Sequence, residues 1–229
     1  MAGRAGIKKT RACDPFRFDR GVIADAVAAG RGEGCRLAGA DEAGRGCLAG
    51  PLVAASVVLD YSAAPFAGLE GLTDSKQLSL RSREALFPLI LAKAARVSWA
   101  AVSPRSIDEI GLHRCNVAAL GRVVESLDGR YCTAVIDGFD LQRPELRSVS
   151  IVGADYKSAA VAAASIVAKV VRDRLMRTLA VSYPEYGFDE HVGYGTEQHR
   201  EALRRHGPCA LHRLSFQGVG TSQLGLWDQ

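Results

Sequence analysis

Leu37-Ala38-Gly39-Ala40-Asp41-Glu42-Ala43-Gly44-Arg45-Gly46 is the stretch on which the reading of this chain turns. The apolar run that begins at Cys35 predicts a strand over residues 35–41, and it ends in two adjacent carboxylates, Asp41 and Glu42. Like charges resist sharing a site unless a cation neutralises them. The glycines that follow let another backbone or a ligand come close. Adjacent acids beside glycine-exposed N–H groups suit a metal-assisted reaction at a phosphate or a sugar. The same residue types also make ordinary surface turns, so this stretch alone leaves both readings open.

Working outward, residues 52–59 are apolar and rich in β-branched side chains, which predicts a second buried strand, and residues 96–102 predict a third. Residues 131–136 read as a strand ending at Asp137-Gly138, and residues 148–152 as another ending near Asp155. Helices are expected over 16–29, from an N-cap at Ser79 to Lys93, over 104–110, over 113–127, over the alanine-rich 158–179 and over 196–206. The first three strands are joined without long helices, which suits antiparallel pairing. Those after position 112 alternate with helices, which favours parallel pairing. The expected fold class is α/β, a mixed sheet of about five strands flanked by helices, with a small helical C-terminal extension. Ligands of open α/β sheets lie beyond the carboxyl ends of strands, where Asp41, Glu42 and Asp137 fall.

The chain has 229 residues, of which 48% are hydrophobic, enough to bury a full core as one large domain or one domain with an appendage. Residues 1–20 carry six Lys or Arg against two Asp, and the remainder balances at 23 basic and 23 acidic residues. The net charge of +4 therefore sits in an N-terminal arm, suited to meeting an anionic polymer or simply to keeping the chain soluble. That arm lacks the apolar segment of a secretory signal, and the longest apolar run, 159–171, contains Lys169 and is too short to span a bilayer. A cytoplasmic monomer with no membrane partner is expected, divided into a basic arm (1–20), a catalytic domain (21–216) and a flexible tail (217–229). The six cysteines, at 13, 35, 47, 115, 132 and 209, include no Cys-x-x-Cys, and reduced thiols are expected rather than disulfides.

Three segments place an acid at a strand boundary: Asp41-Glu42, Asp137 before Gly138, and Asp155 ahead of the long helix. Singly, Asp137 fits turn chemistry and Asp155 a helix cap. Jointly, four carboxylates around one cleft match two hard divalent cations, Mn²⁺ or Mg²⁺. Two such ions about 3.5–4 Å apart activate a water and stabilise the leaving oxygen of an in-line phosphoryl displacement. Successive strand side chains face opposite ways, so Asp41 and Glu42 share the site only where the strand bends or ends between them.

The acids stand within a series of runs: Gly39-Ala40-Asp41-Glu42-Ala43-Gly44-Arg45-Gly46, Leu48-Ala49-Gly50-Pro51, Leu72-Thr73-Asp74-Ser75-Lys76, Val135-Ile136-Asp137-Gly138, Asp155-Tyr156-Lys157-Ser158, Gly193-Tyr194-Gly195-Thr196 and His212-Arg213-Leu214-Ser215-Phe216. In this order, over about residues 35–216, the series resembles the ribonuclease HII (type 2 ribonuclease H) family. The resemblance implies a ribonuclease H-like fold and an endoribonuclease of DNA replication and repair. Its substrates would be the RNA strand of RNA–DNA hybrids and single ribonucleotides within duplex DNA, cut to leave 3′-hydroxyl and 5′-phosphate ends. It further implies that Asp41, Glu42, Asp137 and Asp155 hold the two metal ions. Gly44, Arg45 and Gly46 would recognise the ribose 2′-hydroxyl and adjoining phosphate largely through backbone groups, Lys157 and Ser158 would contact substrate, and Tyr194 would pack on the sugar of the following deoxynucleotide. Cys47 stands where the family's loop is expected to have proline, and Ala154 separates Gly153 from Asp155 where Gly-Asp is usual; neither moves an acid out of register. Ribonuclease HIII, the sibling family, usually adds a sizeable N-terminal domain, for which the 34 residues before the first strand are too few. A resolvase-like nuclease would share the acids without needing the Gly-Arg-Gly loop, and a non-catalytic hybrid-binding protein would not need all four acids.

Other features carry weaker messages. Gly44-x-Gly46 with Gly50 imitates a dinucleotide fingerprint, but Pro51 and a strand follow rather than a helix. His191, His199, His206 and His212 lack zinc-ligand spacing and are expected on solvated surface or at phosphates. Lys157, Lys169, Arg172 and Arg174 either line a hybrid-binding face or, on the long helix, form its solvated side. Gln223-Leu224-Gly225-Leu226-Trp227 resembles the Gln-Leu-x-Leu-Phe motif by which bacterial replication and repair proteins bind the sliding clamp, with Trp for Phe; alternatively it folds back over the domain.

Overall fold

A computed structural model of the chain describes residues 14–63 and 65–220. Its centre is β1 (Arg36–Ala43), which pairs antiparallel with β2 (Leu52–Asp60) on one side and parallel with β4 (Thr133–Asp137) on the other. β3 (Arg96–Val102) adds antiparallel to β2, and β5 (Ser148–Ile151) adds parallel to β4, giving the order β3-β2-β1-β4-β5. The antiparallel half before position 112 and the parallel half after it are as expected, but not through connection length: α2 lies between the antiparallel β2 and β3, and only a short 3₁₀ turn lies between the parallel β4 and β5.

Strand alternation sends side chains to two cores. Leu37, Val53, Ala55, Val57, Leu59 and Val135 face α5 (Ala159–Ala180), with α1 (Pro15–Ala28) and α2 (Leu80–Lys93) beside it. Ala38, Ala40, Ala54, Val58, Ala134 and Ile136 face α4 (Leu112–Glu125), which follows the short α3 (Pro104–Ile110). α5 lies unusually close to β1. Its first turns, residues 159–164, are fully buried and all alanine except Val161, and a Cβ at Gly39 would overlap the backbone of Ala160 and Val161. A smaller cluster of Met176, Tyr186, Phe188, Val192 and Ala202 joins the end of α5 to the C-terminal helical part, α6 (Phe188–His191) and α7 (Glu197–His206).

Three expectations change at the element ends. β1 does not stop at Asp41. Its pairing with β2 continues to Ala43 opposite Val53, whereas its pairing with β4 ends at Ala40 opposite Ile136. Asp41 and Glu42 therefore lie on a strand that outruns its neighbour, with one edge open. The helix expected from Phe16 begins at Pro15, capped by Asp14, so residues 15–20 of the basic segment are helical and Asp19 is buried. At the other end, Val219 packs with Leu48 and Leu203, so the first residues of the supposed tail belong to the domain. The clamp-like segment, Gln223 to Trp227, lies outside the described residues. No helix among the described residues is long and apolar enough to cross a membrane, and the five described cysteines are free thiols.

Candidate metal centre and substrate cleft

Asp41, Asp137 and Asp155 converge where β1 outruns β4. Each offers a carboxylate oxygen, and these oxygens lie within 4.8 Å of one another. Asp41 comes from β1 and Asp137 is the last residue of β4, while Asp155 sits in a single 3₁₀ turn, Ala154–Tyr156, between β5 and α5. Asp137 Oδ1 accepts from the N–H of Ala154 at 2.8 Å, so one acid of the cluster fixes the turn that carries another. Glu42, the fourth expected ligand, lines the same cavity but is not among the three that converge; its Oε1 lies 3.7 Å from Arg45 Nε. That follows from strand parity, since Asp41 and Glu42 are both within β1 and leave it on opposite faces.

The electrostatics are those of a site built for a cation. Burial, and then repulsion from Glu42, hold the Asp41 carboxyl well above its ordinary value. Burial pushes Glu42 up to about 7 against the pull of Arg45, and burial with repulsion from Asp137 pushes Asp155 up to about 6. Lys76, whose Nζ is 3.8 Å from Asp155 and 3.7 Å from Asp74, is the cation closest to Asp155. Asp155 Oδ1, Glu42 Oε2 and Asp74 Oδ2 are buried with no hydrogen-bond partner. Buried oxygens left unpaired are expensive; hard divalent ions bound by carboxylates would satisfy them, so the donor set fits Mn²⁺ or Mg²⁺.

The cluster opens into a cavity of about 530 Å³, whose walls include Gly44, Arg45, Gly46, Lys76, Lys169 and Tyr194. A larger hollow, about 1030 Å³, lies beside Arg36 at the start of β1, but of its two acids, Glu33 and Asp60, the latter is tied to Arg36, and among the described residues no acid cluster forms there. The chemistry belongs to the smaller one. Gly44 has φ 96°, and a Cβ there would overlap the Arg172 side chain, so the Gly-Arg-Gly turn cannot be built with a larger residue at its first position. Arg45 reaches out over the Phe139 ring, 4.7 Å from its centroid. Tyr194 is 39% exposed across the cavity, with Lys169 Nζ 4.9 Å from its ring centre. The Tyr194 loop is clamped to the segment after Gly46: Leu48 N–H donates to the Gly193 carbonyl at 2.9 Å, and a Cβ on Gly193 would overlap the Ala49 carbonyl.

Several expected roles change. Ser158 is fully buried; its hydroxyl accepts from Val161 N–H as the N-cap of α5, leaving no surface for substrate. Lys157 is exposed outside the cavity, its ammonium on the Val152 carbonyl at 2.7 Å. Arg172 is not solvated. It is fully buried and donates to the carbonyls of Ala49, Pro51 and Val192, while buried Arg213 donates to those of Gly50 and Arg45. Two arginines thus pin the Gly-Arg-Gly and Tyr194 loops to one another. Arg174 pairs with Glu84 on α2. His191, His199 and His212 are buried rather than at the surface. Asp74 and Lys76, quoted above only as part of a resemblance, prove to stand at the acids; a loop without periodicity gives no local sign of that.

The family profile described as Ribonuclease HII matches residues 38–219. Ribonuclease HII of Xanthobacter autotrophicus is 45% identical over 212 residues, covering 93% of this chain and 80% of that protein. Among solved structures, the ribonuclease H2 of Pyrococcus horikoshii aligns with a TM-score of 0.71 at 28% identity, over 82% of this chain and 96% of that one. The ribonuclease HII in a complex with PCNA from Archaeoglobus fulgidus aligns at 0.68 and 31%, over 79% and 95%. The chain belongs to the ribonuclease HII family and is a metal-dependent endoribonuclease acting on RNA–DNA hybrids.

Proposed function

We propose that this enzyme hydrolyses the RNA strand of hybrids and also cuts at single ribonucleotides embedded in duplex DNA, using two divalent ions and leaving 3′-hydroxyl and 5′-phosphate ends. The observation that carries the reading is the meeting of the acid cluster, the Gly-Arg-Gly turn and Tyr194 around one 530 Å³ cavity. Asp41, Asp137 and Asp155, with Glu42 at the wall, would hold the ions. Bound there, Mn²⁺ or Mg²⁺ would supply an activated water and neutralise charge on the leaving oxygen.

The remaining groups choose and orient the substrate. Only ribose carries a 2′-hydroxyl, and the turn at Gly44 to Gly46, held by Arg213 at the Arg45 carbonyl, presents backbone to it. Lys76 and Lys169 stand in the cavity wall where a phosphate enters. Tyr194 meets the next sugar, where an added hydroxyl would be hindered, so deoxyribose is preferred there. Lys157 and Ser158 take no direct part. With this activity, the chain would work as a monomer in the cytoplasm.

A duplex with one ribonucleotide, incubated with and without Mn²⁺ or Mg²⁺, tests the reading: nicking at the ribonucleotide only with metal, with 3′-hydroxyl and 5′-phosphate ends, is expected. Tyr194→Ala should lower cleavage there about tenfold, the loss of about 1.4 kcal/mol that one aromatic contact provides, with an unchanged melting temperature. Wild-type cleavage by a folded Tyr194→Ala protein would reduce Tyr194 to packing.

We also propose that Gln223 to Trp227 dock the enzyme on a sliding clamp, as its motif suggests. The Archaeoglobus relative was solved together with PCNA, which supports clamp docking for this chain. Tethering would raise the local concentration of enzyme on newly made DNA. Removing residues 222–229 should abolish clamp binding in calorimetry and leave cleavage of free duplex intact; clamp binding by the truncated chain would end this reading.

A further inference from the structure

His191, His199 and His212 come from separate parts of the C-terminal segment and meet in one buried group. The rings of His191 and His199 stack with centroids 4.5 Å apart, and Phe188 stands edge-on to both. His199 Nε2 is 3.0 Å from His212 Nε2. Every other nitrogen of the three rings faces a backbone group that can act in one way only, because a carbonyl accepts and an N–H donates.

The protons can therefore be placed. His199 Nδ1 is 2.9 Å from the Tyr194 carbonyl, so Nδ1 carries the proton and donates. His212 Nδ1 accepts from Cys209 N–H at 2.9 Å; its proton is then on Nε2, donated to the bare Nε2 of His199. His191 Nε2 donates to the Tyr186 carbonyl at 2.7 Å, and its Nδ1 accepts from Gly193 N–H at 3.2 Å. Each ring carries one proton and every nitrogen is satisfied. A second proton on any ring would set a donor against a donor.

Two of these bonds end on the backbone of Gly193 and Tyr194. The Arg172 guanidinium holds the preceding carbonyl of Val192 at 2.9 Å. Val192 adopts φ 45°, a left-handed conformation uncommon for a β-branched residue, so these bonds impose the shape of the loop. We propose that His199 is a positioning residue for Tyr194: oriented by His212 in its Nδ1–H form, it fixes the Tyr194 carbonyl and with it the angle at which the ring enters the substrate cleft. This rests on the reading of Tyr194 given above.

The surroundings support a neutral network. Burial holds His199 and His212 down at about 4. Arg200 on α7 stands beside His199 and adds to this, Arg172 faces the loop from α5, and Glu185 acts on Tyr186 and Cys209 at the far side.

Histidine nitrogen NMR on the full chain reads the protons directly. His199 should show the Nδ1–H tautomer and His212 the Nε2–H form, both unchanged from about pH 8 to about pH 5.5. A cationic or Nε2–H His199 in that range overturns the proposal. Cleavage of the single-ribonucleotide duplex reads the consequence. His199→Ala should lower kcat/KM about tenfold, the scale of a small misplacement of a substrate-contacting group, and His199→Asn, whose amide nitrogen reaches the Nδ1 position, should restore most of it. In a Tyr194→Ala background His199→Ala should change nothing further. An equal loss in both backgrounds makes His199 a packing residue and overturns the proposal. Should His199→Ala fail to fold, His199→Asn and the tautomer decide it. Wild-type cleavage by Tyr194→Ala alone would instead fail the Tyr194 reading and leave the tautomer result standing.

Discussion

Asp137→Asn gives a folded protein that binds metal poorly and no longer cuts, and that melts higher than the wild type when both are free of metal. The two effects have separate causes. An amide oxygen is a weak ligand for a hard cation, and losing about 4 kcal/mol of charge stabilisation in the transition state slows cleavage about a thousandfold. Without metal, Asp137 repels the other acids, raising the pKa of Asp41, Glu42 and Asp155 alike, and this outweighs its attraction to the largely exposed Lys76. Its one structural bond, accepting from Ala154 N–H, survives in asparagine, whose Oδ1 still accepts. Relief of about 1 kcal/mol, discounted because Asp137 is partly exposed, would lift the melting temperature by about 3 °C in a chain of this size. Cleavage with product mapping and melts in EDTA check both halves. Retained cleavage by the folded variant would refute the metal assignment; a lower melting temperature would show that repulsion at the cluster is not the controlling force.

The acids were legible because each lies beside a local signal. Asp41 and Glu42 end an apolar run, Asp137 precedes Gly138, and Asp155 precedes an alanine-rich helix. The strands themselves followed from their apolar, β-branched runs, although connection lengths do not explain the pairing, since α2 joins the antiparallel β2 and β3. What stayed hidden depends on contacts between distant segments. That β1 would carry Asp41 and Glu42 inside the strand was decided by β2, which keeps pairing to Ala43. The resemblance implied Ser158 as a substrate contact, but as the N-cap of α5 its hydroxyl turns back onto the helix backbone. A charged residue on a helix is by default solvated. Arg172 departs from that default because carbonyls of two loops, Ala49, Pro51 and Val192, converge on it, and no period in the chain announces such a convergence. The three histidines were misread for the same reason.

The second large effect expected is that Mg²⁺ or Mn²⁺ stabilises the protein strongly at pH 8 and hardly at pH 5.5. Asp155 at about 6, Glu42 at about 7 and Asp41, held by burial well above its ordinary value, all take up protons in the folded state at pH values where the unfolded chain has lost them. Over about pH 4 to 7 the metal-free native state therefore holds more protons than the unfolded one, and these groups make stability fall as pH rises. A divalent ion needs the same carboxylates deprotonated, so protons and metal compete, and above about pH 7 the metal replaces a repulsion with a bond. At a metal concentration about a hundredfold above Kd the gain is about 2.7 kcal/mol, or about 8 °C in the melting temperature. Other groups also titrate here. His199 and His212, held at about 4, favour the folded state above their unfolded pKa and lose that advantage as pH falls, while Asp19, raised to about 6, behaves like the cluster acids. None of these three is within the cluster, so subtracting the metal-free melt from the metal-bound melt at each pH cancels them and leaves the acids alone. An equal metal shift at pH 5.5 and pH 8 would mean that the ion binds elsewhere; a shift that vanishes in Asp137→Asn at both would place it on these carboxylates.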